Sequence, residues 1–396
     1  MIDGINNLDL VELRKRQGEK WSHYPEDVIP AWVADMDFEI AEPIRQAIIE
    51  RVSHFDCGYP VAARDTGLPE IFVERVARKF HWHIDTSQVD LFNDVVQGIY
   101  FGLLSLSQEQ DGVLIQTPIY PPFISAVEET QRRVITSPLV QGESKFEIDF
   151  DHLEEQIDEG GVRILLFCNP HNPSGRSFTR PELERLGELI LKHRLFVISD
   201  EIHADLILDK RRHIPIASLS EEIAARTVTL MSASKAFNMA GVCMAFAVFG
   251  GREVKNAFRK VPRHLRGGVS ALSVAGVGAA FSQAEAWLQQ VLQTLVQNRD
   301  LLHSHVTTRW PQIKYLSTEA TYLAWLDCRE LVRERSIEVS PYEFFLANGR
   351  VALSEGLRFG EPGRGFVRLN FATSPSILEE ILARMDAALT IDHRPT

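Results

Sequence analysis

Cysteine and long uncharged apolar runs are both scarce in this sequence. The cysteines lack the close pairs that a zinc site or a redox dithiol uses, so we expect no bound metal and reduced, mostly buried thiols. They are Cys57, Cys168, Cys243 and Cys328. No apolar run reaches transmembrane length, and the opening residues 1–16 lack the apolar core of a signal peptide. We therefore expect a cytoplasmic protein with no membrane partner.

Positive charge is also in deficit. The 42 lysines and arginines are outnumbered by 54 acidic residues, which gives a formal net charge of −12. Nucleic acid and anionic lipid attract proteins through a positive field, so neither is an expected partner. The chain has 396 residues, 45% of them hydrophobic, which is enough for a large sheet-containing domain and a smaller one. A small-molecule substrate is the expected ligand.

Between about residues 65 and 282, short apolar runs alternate with amphipathic segments. The runs are nearly continuous in apolar residues, which is typical of strands covered on both faces. They are 113–115, 164–168, 196–198, 228–231 and 244–249. The segments between them predict helices, one of which opens with the capping residues Thr179 and Glu182. This alternation predicts an α/β fold, a three-layer sandwich around a mostly parallel sheet.

The pattern changes after residue 282. A long helical stretch runs to about residue 306, strands follow at 322–326 and 365–371, and Ser374 opens a final helix. These elements predict a second, smaller α+β domain. The first 47 residues lack the β-α alternation, and we assign them to the same small domain. The predicted domains are therefore 48–283 for the large one, and 1–47 together with 284–396 for the small one.

Polar residues follow several predicted strands at their carboxyl ends, where open α/β sheets bind ligands. Lys235 can form an imine, and the nearby hydroxyls of Ser232 and Ser234 can donate to a phosphate. Asp200, directly after another strand, can keep a pyridine nitrogen protonated. Taken singly, an exposed loop lysine and a capping or salt-bridged acid are the commoner explanations.

Two further features belong to the same edge of the sheet. The turn 169–175 reads Asn-Pro-His-Asn-Pro-Ser-Gly, and its prolines can hold the Asn172 amide against a phenolic oxygen. Gly98 and Ile99 lie at a predicted helix start, where a glycine lets backbone amides approach an anion. Taken alone, the 169–175 segment is an ordinary turn, and a glycine at a helix start is weak evidence for an anion site. Together with the lysine and the aspartate, they predict one binding site.

Taken in their order along the chain, these motifs closely resemble those of fold-type-I pyridoxal-phosphate enzymes of the aspartate aminotransferase superfamily. The resemblance covers nearly the whole chain. The resemblance implies pyridoxal 5'-phosphate as the cofactor, Lys235 as its Schiff-base and catalytic lysine, and Tyr120 stacked on its pyridine ring. It implies that Arg368 binds the substrate carboxylate, for which a planar guanidinium is suited. Without the resemblance, Tyr120 would be interpreted as a core tyrosine and Arg368 as an arginine on a strand face.

Several stretches resemble, more narrowly, the carbon-sulfur lyase branch often called MalY/PatB-like cystathionine β-lyases. They are 32–38, 200–203, 234–238, 353–356, 359–360 and 364–366. The branch implies a substrate-binding role for Ala34 and a homodimer in which Tyr59 reaches the neighbouring subunit's phosphate. His203 stands where many relatives have tyrosine, and it is either a cofactor contact or a structural hydrogen-bonding residue. Tyr120 or Tyr59 is the candidate acid for the departing sulfur.

One departure from the wider aminotransferase pattern concerns the phosphate. Cys243 stands where an arginine is expected after Lys235, so the phosphate has one fewer cationic partner, which is compatible with the lyase branch. We predict a pyridoxal-phosphate-dependent lyase that converts cystathionine or a related S-substituted cysteine to a thiol, pyruvate and ammonia. The alternatives are an aminotransferase and a regulatory protein that uses the fold as an interaction surface. The leaving group stays open.

Overall fold

The strands and helices alternate along most of the chain. A computed structural model describes residue 5 and residues 8–391. Its strands are β1 (Ile29–Pro30), β2 (Val89–Phe92), β3 (Gly112–Ile115), β4 (Arg133–Thr136), β5 (Val140–Gln141), β6 (Phe146–Glu147), β7 (Val162–Cys168), β8 (Phe196–Asp200), β9 (Thr227–Met231), β10 (Ala245–Phe249), β11 (Lys314–Tyr315), β12 (Leu323–Asp327), β13 (Val351–Ala352), β14 (Ser354–Glu355) and β15 (Phe366–Asn370).

Most helices lie between these strands. They are α1 (Leu10–Leu13), α2 (Glu19–Ser22), α3 (Glu42–Ser53), α4 (Leu68–Phe80), α5 (Val95–Leu106), α6 (Pro121–Glu129), α7 (Phe150–Gly160), α8 (Arg180–Lys192), α9 (Glu221–Ala224), α10 (Arg252–Lys260), α11 (Ala271–Gln283), α12 (Glu285–Arg309), α13 (Arg329–Arg335), α14 (Pro341–Gly349) and α15 (Pro375–Thr390). The predicted capping box of α8 is present, with Thr179 and Glu182 in the two roles.

Seven strands form the central sheet, in the order β2-β10-β9-β8-β7-β3-β4. All neighbours from β9 to β4 pair in parallel, and β10 is antiparallel to both β9 and β2. The five strands predicted from apolar runs are confirmed. The sequence missed β2 and β4, the two edge strands, because they carry polar residues such as Asp90 and Arg133 and form no continuous apolar run.

Successive side chains of the central strands pack into two different cores, as expected for a sheet covered on both faces. In β7, Ile164 and Leu166 belong to one cluster, which the helix α5 also lines, and Leu165 belongs to another, which includes Leu183 and Leu186 of α8. The predicted three-layer α/β sandwich is therefore confirmed.

The C-terminal part contains a four-stranded antiparallel sheet, in the order β11-β12-β15-β14. The two strands predicted there, the long helix and the final helix opened by Ser374 are confirmed as β12, β15, α12 and α15. At the other end of the chain, β1 pairs in parallel with β13, joining Ile29 to Val351. This pairing supports the assignment of the N-terminal residues to the small domain, whose boundaries stay a prediction.

The cysteines differ from expectation. Cys168 and Cys328 are buried thiols, but Cys57 and Cys243 are exposed, so the prediction of mostly buried cysteines is wrong for half of them. All four are free. Within residues 5 and 8–391, no helix combines the length and apolar composition needed to cross a membrane.

Candidate active site

Three neighbouring parallel strands end beside one cavity. β7 leads into the turn 169–175, β8 ends at Asp200, and β9 is followed by Ser232. These strands are adjacent in the sheet, so their carboxyl ends lie side by side. The cavity is lined by Ala34, Asn93, Asp94, Val95, Val96, Tyr120, Cys168, Asn172, Asp200, Ile202, His203, Ser232, Ser234, Lys235, Ala240, Cys243 and Met244.

Asp200 is the buried acid of this cavity. It is 6% exposed, and its Oδ1 accepts a hydrogen bond from the backbone N–H of Ile202 at 2.9 Å. Burial raises the pKa of Asp200 to about 7; the Glu201 charge adds to the rise, while the Ile202 hydrogen bond and the Lys235 charge oppose it. A ligand that carries a positive charge would hold this carboxyl ionised.

Lys235 supplies the only amine in the lining. Its Nζ donates to the backbone carbonyl of Ala34 at 2.9 Å. Burial lowers the pKa of Lys235, and the Arg368 charge lowers it further, while Asp35 and Asp200 act in the opposite direction. A lowered pKa favours the neutral amine, which is the form that attacks a carbonyl group or accepts a proton.

Arg368 lies on β15 and contacts the cavity through Asn172. One terminal nitrogen donates to Asn172 Oδ1 at 2.9 Å. The other donates to the Trp32 carbonyl at 2.9 Å and to Ser354 Oγ at 3.1 Å, and the buried Nε has no partner. Arg368 itself is not among the lining residues.

The guanidinium of Arg368 is a buried cation without an acidic partner. It is 5% exposed, and burial lowers its pKa to about 10, although the side chains of Tyr120 and Tyr322 oppose this. No carboxylate among residues 5 and 8–391 forms an ion pair with it. Burying an unpaired charge is costly, so this guanidinium is suited to a carboxylate supplied by a ligand.

Tyr120 and His203 line the same cavity as Asp200. Burial raises the pKa of Tyr120, so its hydroxyl stays protonated at neutral pH. His203 is 2% exposed, and burial together with the charges of Lys235 and Arg368 lowers its pKa to about 3. Its Nδ1 is buried without a hydrogen-bond partner. His203 thus lines the cavity as a neutral imidazole with one unpartnered nitrogen, which favours a ligand contact over a purely structural role.

The hydroxyls of Ser232 and Ser234 lie near the start of α5, where the helix amides point outward. Ser232 Oγ donates to the Met244 carbonyl at 2.6 Å and accepts from the Ser234 N–H at 3.0 Å. The amides of Val95 and Val96 open α5, so they have no acceptor within the helix. These groups form a candidate anion site.

Gly98 and Ile99 do not line the cavity. The helix α5 begins at Val95, earlier than predicted, which places both residues inside its first turns. A Cβ on Gly98 would lie 2.7 Å from Leu230 Cδ2, and Ile99 is fully buried in the core. The glycine therefore lets α5 pack closely on β9, and the structure gives it no contact with the anion site.

Tyr59 also lies away from the cavity. Its side chain is fully exposed and borders a separate surface depression with Arg51 and His54. Within one chain it does not line the cavity. Its predicted role therefore depends on a second subunit.

The sequence missed the residues that begin α5. Asn93, Asp94 and the two valines after them line the cavity, and Asp94 Oδ1 caps the helix by accepting from the Gln97 N–H at 2.7 Å. An aspartate directly before an apolar run is a recognisable helix-start signal, so this error was avoidable. Among residues 5 and 8–391, no cluster of three or more histidine, cysteine or acidic side chains is arranged to hold a metal ion.

The chain matches the family model described as aminotransferase class I and II over residues 43–385, and it belongs to that family. Among curated relatives, it is 33% identical to cystathionine beta-lyase PatB of Bacillus subtilis, covering 94% of this chain and 97% of the relative. It is 32% identical to cystathionine beta-lyase of Corynebacterium glutamicum, covering 96% and 99%. The solved PLP-bound C-S lyase from Staphylococcus hominis superimposes with a TM-score of 0.91 at 29% identity, covering 98% of this chain and 99% of that one.

Proposed function

We propose that this chain is a pyridoxal-phosphate-dependent carbon-sulfur β-lyase, which cleaves cystathionine or a related S-substituted L-cysteine to a thiol, pyruvate and ammonia. The observation that carries the proposal is one cavity lined by both the Lys235 amine and the Asp200 carboxyl. The relatives named above support the reaction class, because they are named cystathionine beta-lyases and a C-S lyase.

The polar groups that line the cavity fit the cofactor. The Asp200 carboxyl would pair with the ring nitrogen, the Asn172 amide would face the phenolic oxygen, and Tyr120 would lie against the ring. His203, whose buried Nδ1 lacks a partner, would contact the same ring. The Ser234 hydroxyl, with the first amides of α5, would hold the phosphate at a helix N-terminus. Ser232 lines the same cavity and would join them by turning its O–H away from the Met244 carbonyl.

The chain's own residues then account for substrate binding and proton transfer. The cofactor, when bound, delocalises the electron pair that remains on the substrate α-carbon after its proton leaves. Arg368, which contacts the cavity through Asn172, would bind the substrate carboxylate and so orient the α-hydrogen, with Ala34 in the cavity lining. Lys235 would accept the α-proton through its neutral amine. Tyr120 lines the cavity in its protonated form, which makes it the candidate acid for the departing sulfur.

The phosphate site contains neutral donors and few cations. Cys243, which is exposed and lines the cavity, stands where the wider aminotransferase pattern has an arginine. We propose that Tyr59 of a second subunit completes this site in a homodimer. Tyr59 and the neighbouring Phe55, which is 94% exposed, leave an apolar surface that a partner subunit would cover. The cytoplasmic location stays a prediction from the sequence.

Light scattering on the purified protein tests the dimer, and the Tyr59→Phe variant tests the contact. We expect a dimer in both, with cofactor dissociation faster in Tyr59→Phe because one phosphate hydrogen bond is lost. A monomer that retains full activity would contradict this arrangement.

Aminotransferase activity is the second candidate, since the family matched here is named for it and the same lysine can return the proton to the cofactor instead. A panel of S-substituted cysteines, cystathionine included, separates the two. The lyase releases pyruvate and ammonia from the panel without any added 2-oxo acid. A strict requirement for a 2-oxo acid, with no pyruvate in its absence, would assign the chain to transamination.

A further inference from the structure

One backbone carbonyl beside the cavity has two side-chain donors. The oxygen of Ala34 accepts a hydrogen bond from Lys235 Nζ at 2.9 Å and a second from the Tyr322 hydroxyl at 2.7 Å. A carbonyl oxygen has two lone pairs, so both acceptor positions are filled. Tyr322 is therefore linked to the lysine amine through a single shared atom.

The segment that carries this carbonyl is fixed on both sides of Ala34. The Asn370 amide donates to the Val33 carbonyl at 2.6 Å and to the Asp35 carbonyl at 2.7 Å. Three consecutive carbonyls thus have side-chain donors from the four-stranded sheet or the residue beside it. Their orientation is set by that sheet, whereas Lys235 follows the seven-stranded sheet.

Tyr322 is rigidly placed. It is 1% exposed, its own carbonyl accepts from the Phe371 N–H at 3.0 Å, and its ring lies edge-on to His203 with 6.2 Å between the ring centres. Burial holds the pKa of Tyr322 well above its usual range, so the hydroxyl remains a donor at neutral pH. The only partner of that hydroxyl among the described residues is Ala34.

We propose that Tyr322 is a positioning residue for Lys235. By occupying one lone pair of the Ala34 carbonyl, it leaves the other as the place where the lysine amine rests whenever that amine is not bonded to the cofactor. From this fixed acceptor the amine meets the substrate α-hydrogen in a constant geometry. The catalytic consequence depends on the lyase function proposed above, but the contact itself does not.

The test compares Tyr322→Phe with Tyr315→Phe. Tyr315 is a matched control because it is 5% exposed, belongs to the same four-stranded sheet and has its hydroxyl bonded to Thr318 Oγ1 at 2.7 Å, away from the cavity. Each variant removes one buried hydroxyl, so we expect similar losses of thermal stability. Only Tyr322→Phe should lower kcat, by roughly 10- to 100-fold, since small misplacements of a reacting group cost that much.

Two readouts distinguish positioning from a general structural effect. The isotope effect with α-deuterated substrate should rise in Tyr322→Phe at unchanged KM, because proton abstraction becomes more strongly rate-limiting. In the cofactor-free protein, acetic anhydride should acetylate Lys235 faster in Tyr322→Phe than in Tyr315→Phe, as mass spectrometry measures, because the amine is less well held.

Identical kcat, isotope effect and labelling in the two variants would overturn the proposal. A rise in KM with unchanged labelling would also overturn it, because the hydroxyl would then contact substrate instead of serving the lysine. If the wild-type protein releases no pyruvate while the labelling rates still differ, the lyase function fails and the positioning contact stands.

Discussion

Two buried arginines contact the same turn, and they differ in their partners. Arg176, 2% exposed, binds both carboxylate oxygens of Glu182 at 2.8 and 2.9 Å and Glu319 at 2.9 Å. Arg368, 5% exposed, contacts Asn172 of the turn but forms no ion pair with a carboxylate of the residues that the structure describes. The first arginine forms a closed network, and the second keeps a charge available. The difference separates a residue that shapes the turn from one that is suited to a ligand.

The same difference appears between two consecutive acids. Glu201 is 1% exposed and binds His213 Nε2 at 2.6 Å and Ser199 Oγ at 2.8 Å. Asp200 has one backbone N–H and faces the cavity. Because buried polar groups in proteins are generally satisfied, buried charges with few partners beside a cavity, such as Asp200 and Arg368, indicate the surface that a ligand completes. Networks of the first kind hold that surface in place.

The largest effects are expected when either of two lysines, the buried Lys20 or the half-buried Lys235, is replaced by alanine. Lys20 pairs with Asp37 at 2.8 Å, whereas the amine of Lys235 has a backbone carbonyl as its one hydrogen-bond partner in the described part of the chain. We expect Lys235→Ala to lower pyruvate release by at least about 10²–10⁴-fold, since it removes the general base, and to unfold at nearly the same temperature as wild type. Lys20→Ala should lower the free energy of unfolding by about 3–5 kcal/mol, because Asp37 becomes an unpaired buried charge. Enzyme assays and thermal melts check both, and an active Lys235→Ala variant would end its assignment.

The two arginines allow a second comparison, in which each is replaced by lysine. Lysine keeps the charge but loses the planar fork. We expect Arg368→Lys to lower kcat/KM by about 10²-fold with little change in stability, because substrate carboxylate binding weakens. Arg176→Lys should instead lower the free energy of unfolding by about 3 kcal/mol at nearly unchanged KM, since Glu182 and Glu319 lose partners. The reverse pattern in urea unfolding and steady-state kinetics would show that the roles are exchanged.

The functional residues that lie just after strands were predictable from the sequence. Lys235, Asp200 and Asn172 all lie within four residues of the end of an apolar run, and neighbouring parallel strands bring their carboxyl ends together. The apolar runs themselves predicted the central sheet, because strands buried on both faces tolerate few polar residues. Edge strands follow no such rule, and β2 and β4 were missed for that reason.

Contacts made by backbone carbonyls were not predictable. The Ala34 carbonyl joins Lys235 to Tyr322, which is 288 residues away from Ala34 along the chain. Any residue type presents a carbonyl, so no side-chain pattern marks this contact. Gly98 shows the opposite difficulty, since a glycine near a helix start fits both an anion site and close packing. Only the position of Leu230 distinguishes them.

The unpaired acid and the paired acid should respond to pH in opposite directions. Asp200 has a folded-state pKa of about 7, above its unfolded value of 3.8, so the folded protein binds a proton more tightly. The free energy of unfolding of the cofactor-free protein should therefore fall as the pH rises from 4 to 7, by at most about 1.4 kcal/mol per pH unit. The Asp200→Asn variant should not show this fall. Cofactor binding should also abolish it, because a ring cation holds the carboxylate ionised.

Glu182 provides the contrast. Burial alone would raise its pKa, but hydrogen bonds from Thr179 and Arg176 lower it, so its contribution is present above the unfolded pKa and lost as the pH falls. Urea unfolding of wild type against Glu182→Gln below pH 4.5, and against Asp200→Asn between pH 3.8 and 7, measures the two slopes. Slopes of the same sign would contradict the distinction between a closed network and an open site.

The smallest expected effect tests whether Gly98 belongs to the open site or to the packed scaffold. Its Cβ would meet Leu230 at 2.7 Å, so Gly98→Ala should lower the free energy of unfolding by about 1–3 kcal/mol through overpacking. Gly278 of α11 is the control, since its nearest neighbour would lie at 3.6 Å and alanine there should stabilise the helix by about 0.5–1 kcal/mol. If both variants bind the cofactor with wild-type affinity, Gly98 serves packing alone. A selective loss of cofactor affinity in Gly98→Ala would return it to the phosphate site.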